Sequence, residues 1–428
     1  MKTYNQVKDI PGTPDLAVIV IPPPAVPRAI DDCVEKGIRA GVIITAGFAE
    51  VGGDGEKLQN EMVEKARKGQ MILVGPNCNG IVRPSRKLFP QMPAVFPQEG
   101  PLAVVSQSGN VALSLSRRSI KAGFGLSCIV SSGNEADLHC EDYFEFLSHD
   151  PDTKVIISYI EGFRNARRFF DIAKGVVAQK PLIMIKAGGT SAGARAAKSH
   201  TASLAGSDST FDGACRQAGI IRAADLQELF NTGIGFLNQP APRGNRTAIL
   251  TMGGGWGVLA ADSAARYGLD VVQLSDKTLS ALDSILPHWW NPGNPVDMVA
   301  GNIEGAMMKT LKVLIEAPET DCVIVLGIMG FFTTQSISPD TPPEEVEKLF
   351  RNIVGQLTQA FYEIRGLSHY YKKPVVAGTE LPFAVADMEE RIFHTLGTKG
   401  FPLYKTPNET VKVMSHLVKY GNYLKNLS

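Results

Sequence analysis

The sequence predicts an α/β protein built from doubly wound parallel sheets. Short apolar runs rich in valine and isoleucine alternate with amphipathic stretches of helical length, which is typical of βαβ units. The same order of elements occurs twice in the later part of the chain, which indicates two copies of one domain. At 428 residues the chain also exceeds the usual size of a single hydrophobic core, so we expect several domains.

The first part of the chain, residues 1–97, reads as a small domain of its own. Three apolar runs predict buried strands and two stretches between them predict helices, over 15–22, 40–48 and 71–77, and over 25–37 and 55–69. The segment 88–101 is polar and interrupted by prolines, so it predicts a linker to the next domain.

Two later segments, which begin PLAVVSQSGN and RTAILTMGGG, agree in form. Each predicts a strand, a turn of small residues, a helix that ends in glycine, and a second strand. Farther along, the pair VIISYIEGF and KPLIMIKAGG corresponds to VIVLGIMGFF and KKPVVAGTE. We therefore predict one domain over 98–240 and its copy over 241–428.

The composition is that of a globular protein with no strong charge preference. Lys plus Arg equals Asp plus Glu at 43 each, which gives no support to a nucleic-acid or anionic-membrane partner. The six cysteines form no CxxC pair and no cluster with metal-ligand spacing, which indicates buried thiols in a reducing compartment. The N-terminus lacks an apolar signal region, and no apolar run is long enough to span a bilayer. We expect a cytoplasmic protein without a resident metal.

Two strand-to-helix turns are unusually rich in small residues. In open α/β sheets, ligands collect where the carboxyl end of a strand turns into a helix. Glycine lets an anion approach the backbone closely, although tight turns also use glycine for steric reasons alone. Because the turns occupy equivalent places in the two copies, we predict a composite phosphate site between the copies, formed by Ser108, Gly109, Asn110, Gly253, Gly254 and Gly255.

Glu161 ends the strand VIISYI, where its carboxylate faces the ligand crevice of the sheet. There it is able to orient an imidazole by accepting a hydrogen bond from the ring N–H. The alternative is an acid that favours the positive end of the following helix. Arg164, Arg167 and Arg168 follow at helical spacing, and a solvated helix face is the preferred interpretation for them.

His200 lies in the run AAKSHTASLAGSDS, among alanine, serine, threonine and glycine. A phosphoryl carrier needs a nucleophilic imidazole on a tether that reaches two places, and small side chains let it enter a narrow site. The alternative is an ordinary polar-loop histidine, which we favour for His149 and His369. The segment has no counterpart in the second copy, and its composition favours a catalytic role for His200.

Seven motifs together resemble the NDP-forming acyl-CoA synthetase superfamily, and most closely the α subunit of ADP-forming acetyl-CoA synthetase. Succinyl-CoA synthetase is a more distant relative. The resemblance covers essentially the whole chain, and SHTASLAGSD is its most specific part. The motifs are AGFAEVGGDG (46–55), GPNCNGIV (75–82), SQSGNVA (106–112), SSGNEAD (131–137), EGFRNARRF (161–169), GARAAKSHTASLAGSD (193–208) and NPVD (294–297).

This resemblance implies a fold for each part of the chain. Residues 1–97 correspond to a truncated Rossmann-like CoA-binding domain, whose first strands in the family precede the start of this chain. Residues 98–240 correspond to a CoA-ligase domain with the phosphohistidine loop, and 241–428 to a second one, both flavodoxin-like. With a shortened first sheet, CoA contacts are expected at Pro22, Thr45, Ala46, Gly47, Phe48 and Asn77.

The resemblance also implies a reaction, acid + CoA + ATP ⇌ acyl-CoA + ADP + phosphate, through an acyl phosphate and a phosphohistidine. His200 matches the phosphorylated histidine and Glu161 the acid that holds it. Ser108–Asn110 and Gly253–Gly255 match the starts of the two phosphate-facing helices. The sequence departs from the family's GGPG motif at Trp256, where an indole replaces proline.

No segment resembles an ATP-grasp nucleotide site or a Walker P-loop. The family implies that ATP or ADP and Mg²⁺ are bound by a partner ATP-grasp β subunit or domain, so we expect an oligomer. Two alternatives remain open: a regulatory homologue that responds to CoA without catalysis, and a general phosphocarrier unrelated to CoA. The carboxylic acid is open as well, between small, aryl and dicarboxylic substrates.

Overall fold

The computed structural model describes residues 2–198, 208–299, 305–331, 341–379 and 387–427. His200, the most important residue of the sequence prediction, therefore lies outside the described residues. The chain divides into two compact units, one comprising Met1–Ile120 with Gly125–Leu229 and the other Lys121–Phe124 with Phe230–Ser428.

A three-stranded parallel sheet opens the first unit. Its strands lie in chain order and are β1 (Leu16–Ile19), β2 (Ala40–Ile43) and β3 (Ile72–Val74). They are connected by α1 (Val26–Glu35) and α2 (Asp54–Lys68), whose apolar residues recur every three or four positions. These residues are buried against one face of the sheet, so the core of this sheet lies on its helix-covered side.

The second sheet of the first unit has six strands. They are β4 (Gly80–Val82), β5 (Glu99–Ser106), β6 (Leu126–Ser131), β7 (Val155–Ile160), β8 (Leu182–Lys186) and β9 (Ile221–Arg222). The helices are α3 (Gly109–Lys121), α4 (Cys140–His149), α5 (Ala166–Val177), α6 (Ser191–Lys198) and α7 (Asp208–Ala218), and α8 (Leu226–Phe236) is divided between the two units after Leu229. All pairings in this sheet are parallel except that of β4.

The second unit contains a further sheet with its own helices. The strands are β10 (Arg246–Thr251), β11 (Asp270–Val271), β12 (Val296–Asp297), β13 (Cys322–Leu326) and β14 (Val375–Gly378). The helices are α9 (Gly254–Tyr267), α10 (Asp276–Asp283), α11 (Ala306–Glu316), α12 (Pro343–Tyr371), α13 (Met388–Thr398) and α14 (Pro407–Leu427). Every residue of β13 and β14 is buried, which explains their uninterrupted apolar sequence.

The two larger sheets share one strand order, and this confirms the predicted pair of flavodoxin-like domains. The first has the order β6-β5-β7-β8-β9 beside the edge strand β4, and the second has β11-β10-β13-β14. A parallel bridge from Gly378 to Tyr404 extends the second sheet by one position. This is the doubly wound order 2-1-3-4-5, whose ligand crevice lies between the first and third strands.

Strand β4 was not predicted, because three residues carry no usable periodicity. It pairs antiparallel with β6 through Ile81 and Val130. The prediction of buried thiols is confirmed, since all six cysteines are buried and free. Within the described ranges, no helix is both long and apolar enough to cross a bilayer.

Candidate functional site

The turn after β5 opens toward the crevice of the six-stranded sheet. Ser106 Oγ donates to the Ser108 carbonyl oxygen at 2.7 Å and accepts from the Ser108 amide at 3.2 Å. Ser108 Oγ in turn accepts from Val111 N at 3.4 Å, which caps the first turn of α3. The first amides of a helix have no partner inside it, so α3 presents donors and the positive end of its dipole at this edge.

The turn after β10 has the same hydrogen bonds in the second unit. Thr251 Oγ1 donates to the Gly253 carbonyl oxygen at 2.8 Å and accepts from Gly253 N at 3.2 Å. Helix α9 then begins at Gly254. The hydroxyl group of a serine in one copy and of a threonine in the other therefore makes the same two hydrogen bonds at the end of the strand. This supports the sequence equivalence of the two turns.

The glycines of these turns have different surroundings. A Cβ on Gly109 would lie 2.7 Å from the side-chain carbon Cγ of Asn79, and one on Gly254 would lie 2.8 Å from Asp297 Oδ2. A Cβ on Gly255 would meet nothing within 4 Å. Neither Gly109 nor Gly254 has a positive φ, so a side chain there would be opposed by contact rather than by backbone strain.

Trp256 lies at the crevice of the second unit. Its ring atoms would be 3.0 Å from a Cβ on Gly253 and 2.7 Å from a Cβ on Gly327, which follows β13. The indole therefore packs between the turns after the first and third strands of the sheet. Gly327, with φ of +72°, is required there on two counts, because a side chain would be strained and would also strike the ring.

Glu161 follows β7 directly, beside the turn after β5. Its backbone amide donates to Gln107 Oε1 at 2.6 Å, and the amide of Gly162 donates to the same oxygen at 3.1 Å. Burial, followed by the negative charge of Glu161, raises the pKa of Tyr159 on the same strand. Gln107 therefore connects the predicted phosphate turn, Ser108–Asn110, to the backbone of the predicted catalytic acid.

Glu135 is a buried carboxyl group in the turn region after β6, and sequence reasoning did not identify it. Its oxygens accept from Ser132 Oγ at 2.7 Å and from Gln107 Nε2 at 2.9 Å. Burial raises its pKa to about 7, although these hydrogen bonds oppose the change. The nearby carboxylate of Glu141 acts in the same direction as burial.

Replacement of Glu135 with glutamine is expected to change how stability depends on pH. From about pH 4.5 to about pH 7 the carboxyl group ionises in the unfolded chain but keeps its proton in the folded one. The folded state then binds more protons, so the wild-type free energy of unfolding falls across this window, by on the order of 3 kcal/mol. The glutamine variant lacks this component, and urea unfolding at about pH 5 and about pH 8 measures it.

The variant also loses hydrogen-bond acceptors, and this cost does not depend on pH. The informative quantity is therefore how the difference in unfolding free energy between wild type and variant changes from about pH 5 to about pH 8. Glu145→Gln, on the exposed part of α4, is the matched control and should leave the pH profile unchanged. A difference between wild type and Glu135→Gln that is the same at both pH values would contradict the prediction.

The carboxyl edge of the three-stranded sheet brings together the residues predicted to contact CoA. Thr45 Oγ1 donates to the Ile21 carbonyl oxygen at 2.8 Å and accepts from its amide at 3.2 Å. Asn77 N donates to the Thr45 carbonyl oxygen at 2.9 Å. Pro22 and Ala46 are exposed beside these contacts. The segments after β1, β2 and β3 are thus tied together, because parallel strands end at one edge.

Gly47 and Phe48 differ from the other members of this group. Gly47 has φ of +104°, and a Cβ there would lie 2.8 Å from Pro23 Cγ, so the position requires glycine. Phe48 has no exposed area and packs in the core of the sheet. The Glu50 carboxylate accepts hydrogen bonds from the backbone amides of Gly47 and Phe48, at 2.6 and 3.2 Å, and so fixes the backbone of this segment.

Asp208, the first described residue after 199–207, lies close to the turn that follows β8. A Cβ on Gly189 would be 2.9 Å from Asp208 Oδ1. Arg222 holds Asp208 with two contacts, Nη2 to Oδ1 at 2.9 Å and Nη1 to Oδ2 at 3.3 Å. Lys186 ends β8 beside this pair, where burial lowers its pKa although the charge of Asp208 opposes the change. The described residues that precede 199–207 follow β8, and β8 pairs with β7, the strand that precedes Glu161.

The arginines after Glu161 have separate roles. Arg167 is exposed and pairs with Asp171 one helical turn away at 3.0 Å, as expected for a solvated face. Arg168 instead joins α5 to α4, with ion pairs to Asp142 and, at 3.5 Å, to the buried Glu141. The sequence contained no signal for this second role, since the partners lie on a different helix.

Three family profiles match the chain in succession. A CoA binding domain matches residues 1–84, a succinyl-CoA ligase like flavodoxin domain matches 99–234, and a Ligase-CoA domain matches 247–406. These matches and the duplicated 2-1-3-4-5 sheets define the class of CoA ligases with NDP-forming chemistry.

Known proteins agree with these matches. The chain is 37% identical over 419 residues to the α subunit of acetate–CoA ligase [ADP-forming] II of Pyrococcus furiosus, covering 98% of this chain and 86% of that one. It is 40% identical over 299 residues to the acetate–CoA ligase [ADP-forming] of Methanocaldococcus jannaschii, covering 70% and 42% of the two chains.

A solved structure extends the likeness to three dimensions. The dinucleotide forming acetyl-coenzyme A synthetase 1 of Ca. Korarchaeum cryptofilum, in complex with phosphate and ADP, has a TM-score of 0.83 and 31% identity. The match covers 100% of this chain and 88% of that one. The chain belongs to the family of ADP-forming acetate–CoA ligase α subunits, within the NDP-forming acyl-CoA synthetases.

Proposed function

We propose that this chain carries a phosphoryl group on His200 between an acyl phosphate and ADP, as the α-type chain of an ADP-forming acyl-CoA synthetase. The observation that carries the proposal is the arrangement at one sheet edge. The turn of Ser108–Asn110, Glu161 and the chain leading to His200 follow β5, β7 and β8, which are neighbours in the sheet. On this basis we assign the phosphate acceptor site, the orienting acid and the nucleophile to one crevice.

In the first step, a phosphate oxygen attacks the thioester carbonyl carbon of an acyl-CoA. The C–S bond breaks, and the CoA sulfur leaves with the proton that phosphate loses, which produces an acyl phosphate. A ring nitrogen of His200 then attacks the phosphorus, and the P–O bond to the acyl group breaks to release the carboxylate. Glu161 accepts a hydrogen bond from the other ring N–H and stabilises the positive charge of the phosphoimidazolium.

In the last step, a β-phosphate oxygen of ADP attacks the phosphorus and the P–N bond breaks, which yields ATP and neutral His200. We assign the nucleotide and Mg²⁺ to an ATP-grasp partner subunit or domain, because the sequence contains no nucleotide motif of its own. The coupling of the two half-reactions then requires His200 to reach both sites in turn.

We assign the CoA nucleotide to the carboxyl edge of the three-stranded sheet. Pro22, Thr45, Ala46, Gly47 and Asn77 lie at or next to the hydrogen bonds that tie the three loops together. Phe48 supports this edge from the core, since it has no exposed area. Its contribution to CoA binding is therefore packing beneath the loop.

The glycine turn Gly253–Gly255 of the second unit, which we propose binds phosphate, gives a prediction that separates binding from folding. Gly255→Val is expected to raise the KM for phosphate by at least about tenfold, because the side chain would occupy the space of the anion. The fold should tolerate it, since a Cβ on Gly255 meets nothing within 4 Å. Phosphate-dependent cleavage of acyl-CoA measures the effect.

Gly366→Val is the matched control for this variant, because Gly366 is also an exposed glycine in a helix with nothing within 4 Å of its Cβ. It should leave the KM for phosphate unchanged. Gly254→Val is less informative, since its side chain would also strike Asp297. An unchanged phosphate KM in Gly255→Val would show that the second turn takes no part in phosphate binding.

The function itself is tested by purifying the chain with its ATP-grasp partner and screening acids for CoA-dependent ADP formation. Acetate, an aryl acid and a dicarboxylate cover the three open classes of substrate. Turnover with any of them supports the proposal. No turnover and no acid-labile phosphate on the chain would indicate a regulatory homologue, and phosphorylation of His200 without any CoA dependence would indicate a general phosphocarrier.

A further inference from the structure

One carboxamide, that of Gln107, uses all of its hydrogen-bonding positions within the six-stranded sheet domain. Its oxygen accepts from the amides of Glu161 and Gly162, at 2.6 and 3.1 Å. Its nitrogen donates to Glu135 Oε2 and to the Gly162 carbonyl oxygen, each at 2.9 Å. A neutral amide has two donors and a two-lone-pair acceptor, so the side chain is fully satisfied.

These contacts join the segments that follow three neighbouring strands, since the order in the sheet is β6-β5-β7. Gln107 follows the middle strand, Glu135 follows β6, and Glu161 follows β7. The backbone N–H of Gln107 also donates to the Tyr159 carbonyl oxygen at 3.1 Å. Segments at the ends of strands are otherwise the more mobile parts of such domains, so a cross-link here restricts the position of each.

The Glu135 side of the link is rigid. Ser132 N donates to the Ser106 carbonyl oxygen at 2.9 Å, and Ala136 N donates to the Gly75 carbonyl oxygen at 3.0 Å. Gly133 has φ of +61°, and a Cβ there would lie 2.3 Å from the Pro76 carbonyl oxygen. The backbone around Glu135 is therefore held in place, and this fixes the position of the carboxyl group that accepts the hydrogen bond from Gln107 Nε2.

Glu135 also bears on the orientation of the Gln107 side chain, that is, on whether its C=O or its NH₂ group faces Glu135. Because Ser132 Oγ donates to Oε1 of Glu135, the other oxygen of the ionised carboxyl group takes a donor from Gln107, and only the NH₂ group of Gln107 can supply one. The carbonyl oxygen of Gln107 then faces the amides of Glu161 and Gly162. An ionised Glu135 thus favours the same amide orientation as the Glu161 and Gly162 N–H donors, the one that holds the backbone of Glu161.

We propose that Gln107, oriented by Glu135, is a positioning residue for Glu161 in the phosphorylation of His200. This inference rests on the proposed function. In this role Gln107 does not contact the reacting atoms. It fixes the backbone from which the Glu161 side chain extends, and so determines where that carboxylate meets the imidazole.

The test measures the rate of phosphohistidine formation from radiolabelled phosphate and the CoA thioester of the acid that supports turnover in the screen above, with the chain in its complete assembly and an alkaline quench. Gln107→Leu should lower the rate by at least about tenfold, the usual size of losing an orienting contact. In a Glu161→Gln background, Gln107→Leu should lower the rate less than about twofold, because Gln107 then has no catalytic carboxylate left to position. An equal loss in both backgrounds would overturn the proposal.

A charge exchange provides the second arm. At about pH 8, where Glu135 is ionised, Gln107→Glu places two carboxylates against each other and should lower the rate as strongly as Gln107→Leu. Adding Glu135→Gln restores a carboxylate–amide pair, now reversed, in which the new carboxylate still accepts from the Glu161 and Gly162 amides. We expect the double variant to recover several-fold of the loss, and no recovery would count against an orienting role for Glu135.

Amide hydrogen exchange covers the case in which a variant is inactive for a general reason. In Gln107→Leu, exchange should accelerate in the peptide that contains Glu161 and Gly162 and stay unchanged in the three-stranded sheet. Unchanged exchange at Glu161 would overturn the inference. A wild-type chain that gains no label would overturn the proposed function as well. This outcome is distinguished from the others because the wild-type chain is labelled before any variant is tested.

Discussion

His200→Ala is expected to abolish phosphorylation of the chain and the turnover of its assembly, by at least about a thousandfold. The imidazole is the nucleophile of the proposed mechanism, and no other group in AAKSHTASLAGSDS replaces it as a phosphoryl carrier. Stability should change by less than about 0.5 kcal/mol, since the surrounding segment is built of small residues with Leu204 as its large apolar member. Acid-labile, base-stable phosphate and thermal unfolding provide the two measurements.

His200→Asn should be equally inactive, because an amide is not a nucleophile. His369→Ala is the control, as His369 is exposed at the end of α12 and should be dispensable. A loss of stability comparable to a core deletion, about 2–5 kcal/mol, would place His200 in a packed core and contradict the loop interpretation. Full phosphorylation of His200→Ala would exclude it as the carrier.

Glu161→Gln is expected to lower the yield of phosphohistidine by about tenfold to a hundredfold while phosphate still binds. A carboxylate on the far ring nitrogen stabilises the imidazolium character of the phosphorylated ring, whereas a neutral amide does so much less. The backbone contacts of Glu161 to Gln107 are kept in this variant, so the change isolates the side-chain charge. Alkaline-quench labelling gives the yield, and equilibrium binding of inorganic phosphate gives the affinity.

Glu145→Gln on α4 serves as the matched control, because it removes a carboxylate from an exposed position of the same domain. A near wild-type yield of phosphohistidine in Glu161→Gln would return Glu161 to the alternative interpretation, an acid that favours the start of the following helix. A parallel loss of phosphate affinity would instead place its role in binding.

The sequence alone was sufficient to predict the α/β class and the duplicated doubly wound domains. Continuous apolar runs such as VIISYI and CVIVL predict strands buried on both faces, and those strands are buried in the structure. The short strand β4 was missed because an antiparallel edge strand of three residues depends on its partner β6 rather than on its own pattern. Local periodicity cannot carry that information.

Candidate site residues on turns were equally accessible from the sequence, because a turn of small residues after a strand has a local cause. The equivalence of SQSGN and the GGG turn was predicted, and the matching bonds of Ser106 and Thr251 now give it a physical basis. Family motifs contained Gln107 and Glu135, yet nothing in their spacing indicated that the two would meet.

What the sequence by itself determined is therefore the set of elements, their order and the places where backbone amides are exposed. The tertiary structure decided which side chains act together. Gln107 reaches Glu135 and the amide of Glu161, which lie 28 and 54 positions farther along the chain, because β6, β5 and β7 are neighbours in the sheet. It also decided that Glu135 is buried, and burial in a medium that solvates charge poorly is the reason its pKa rises to about 7.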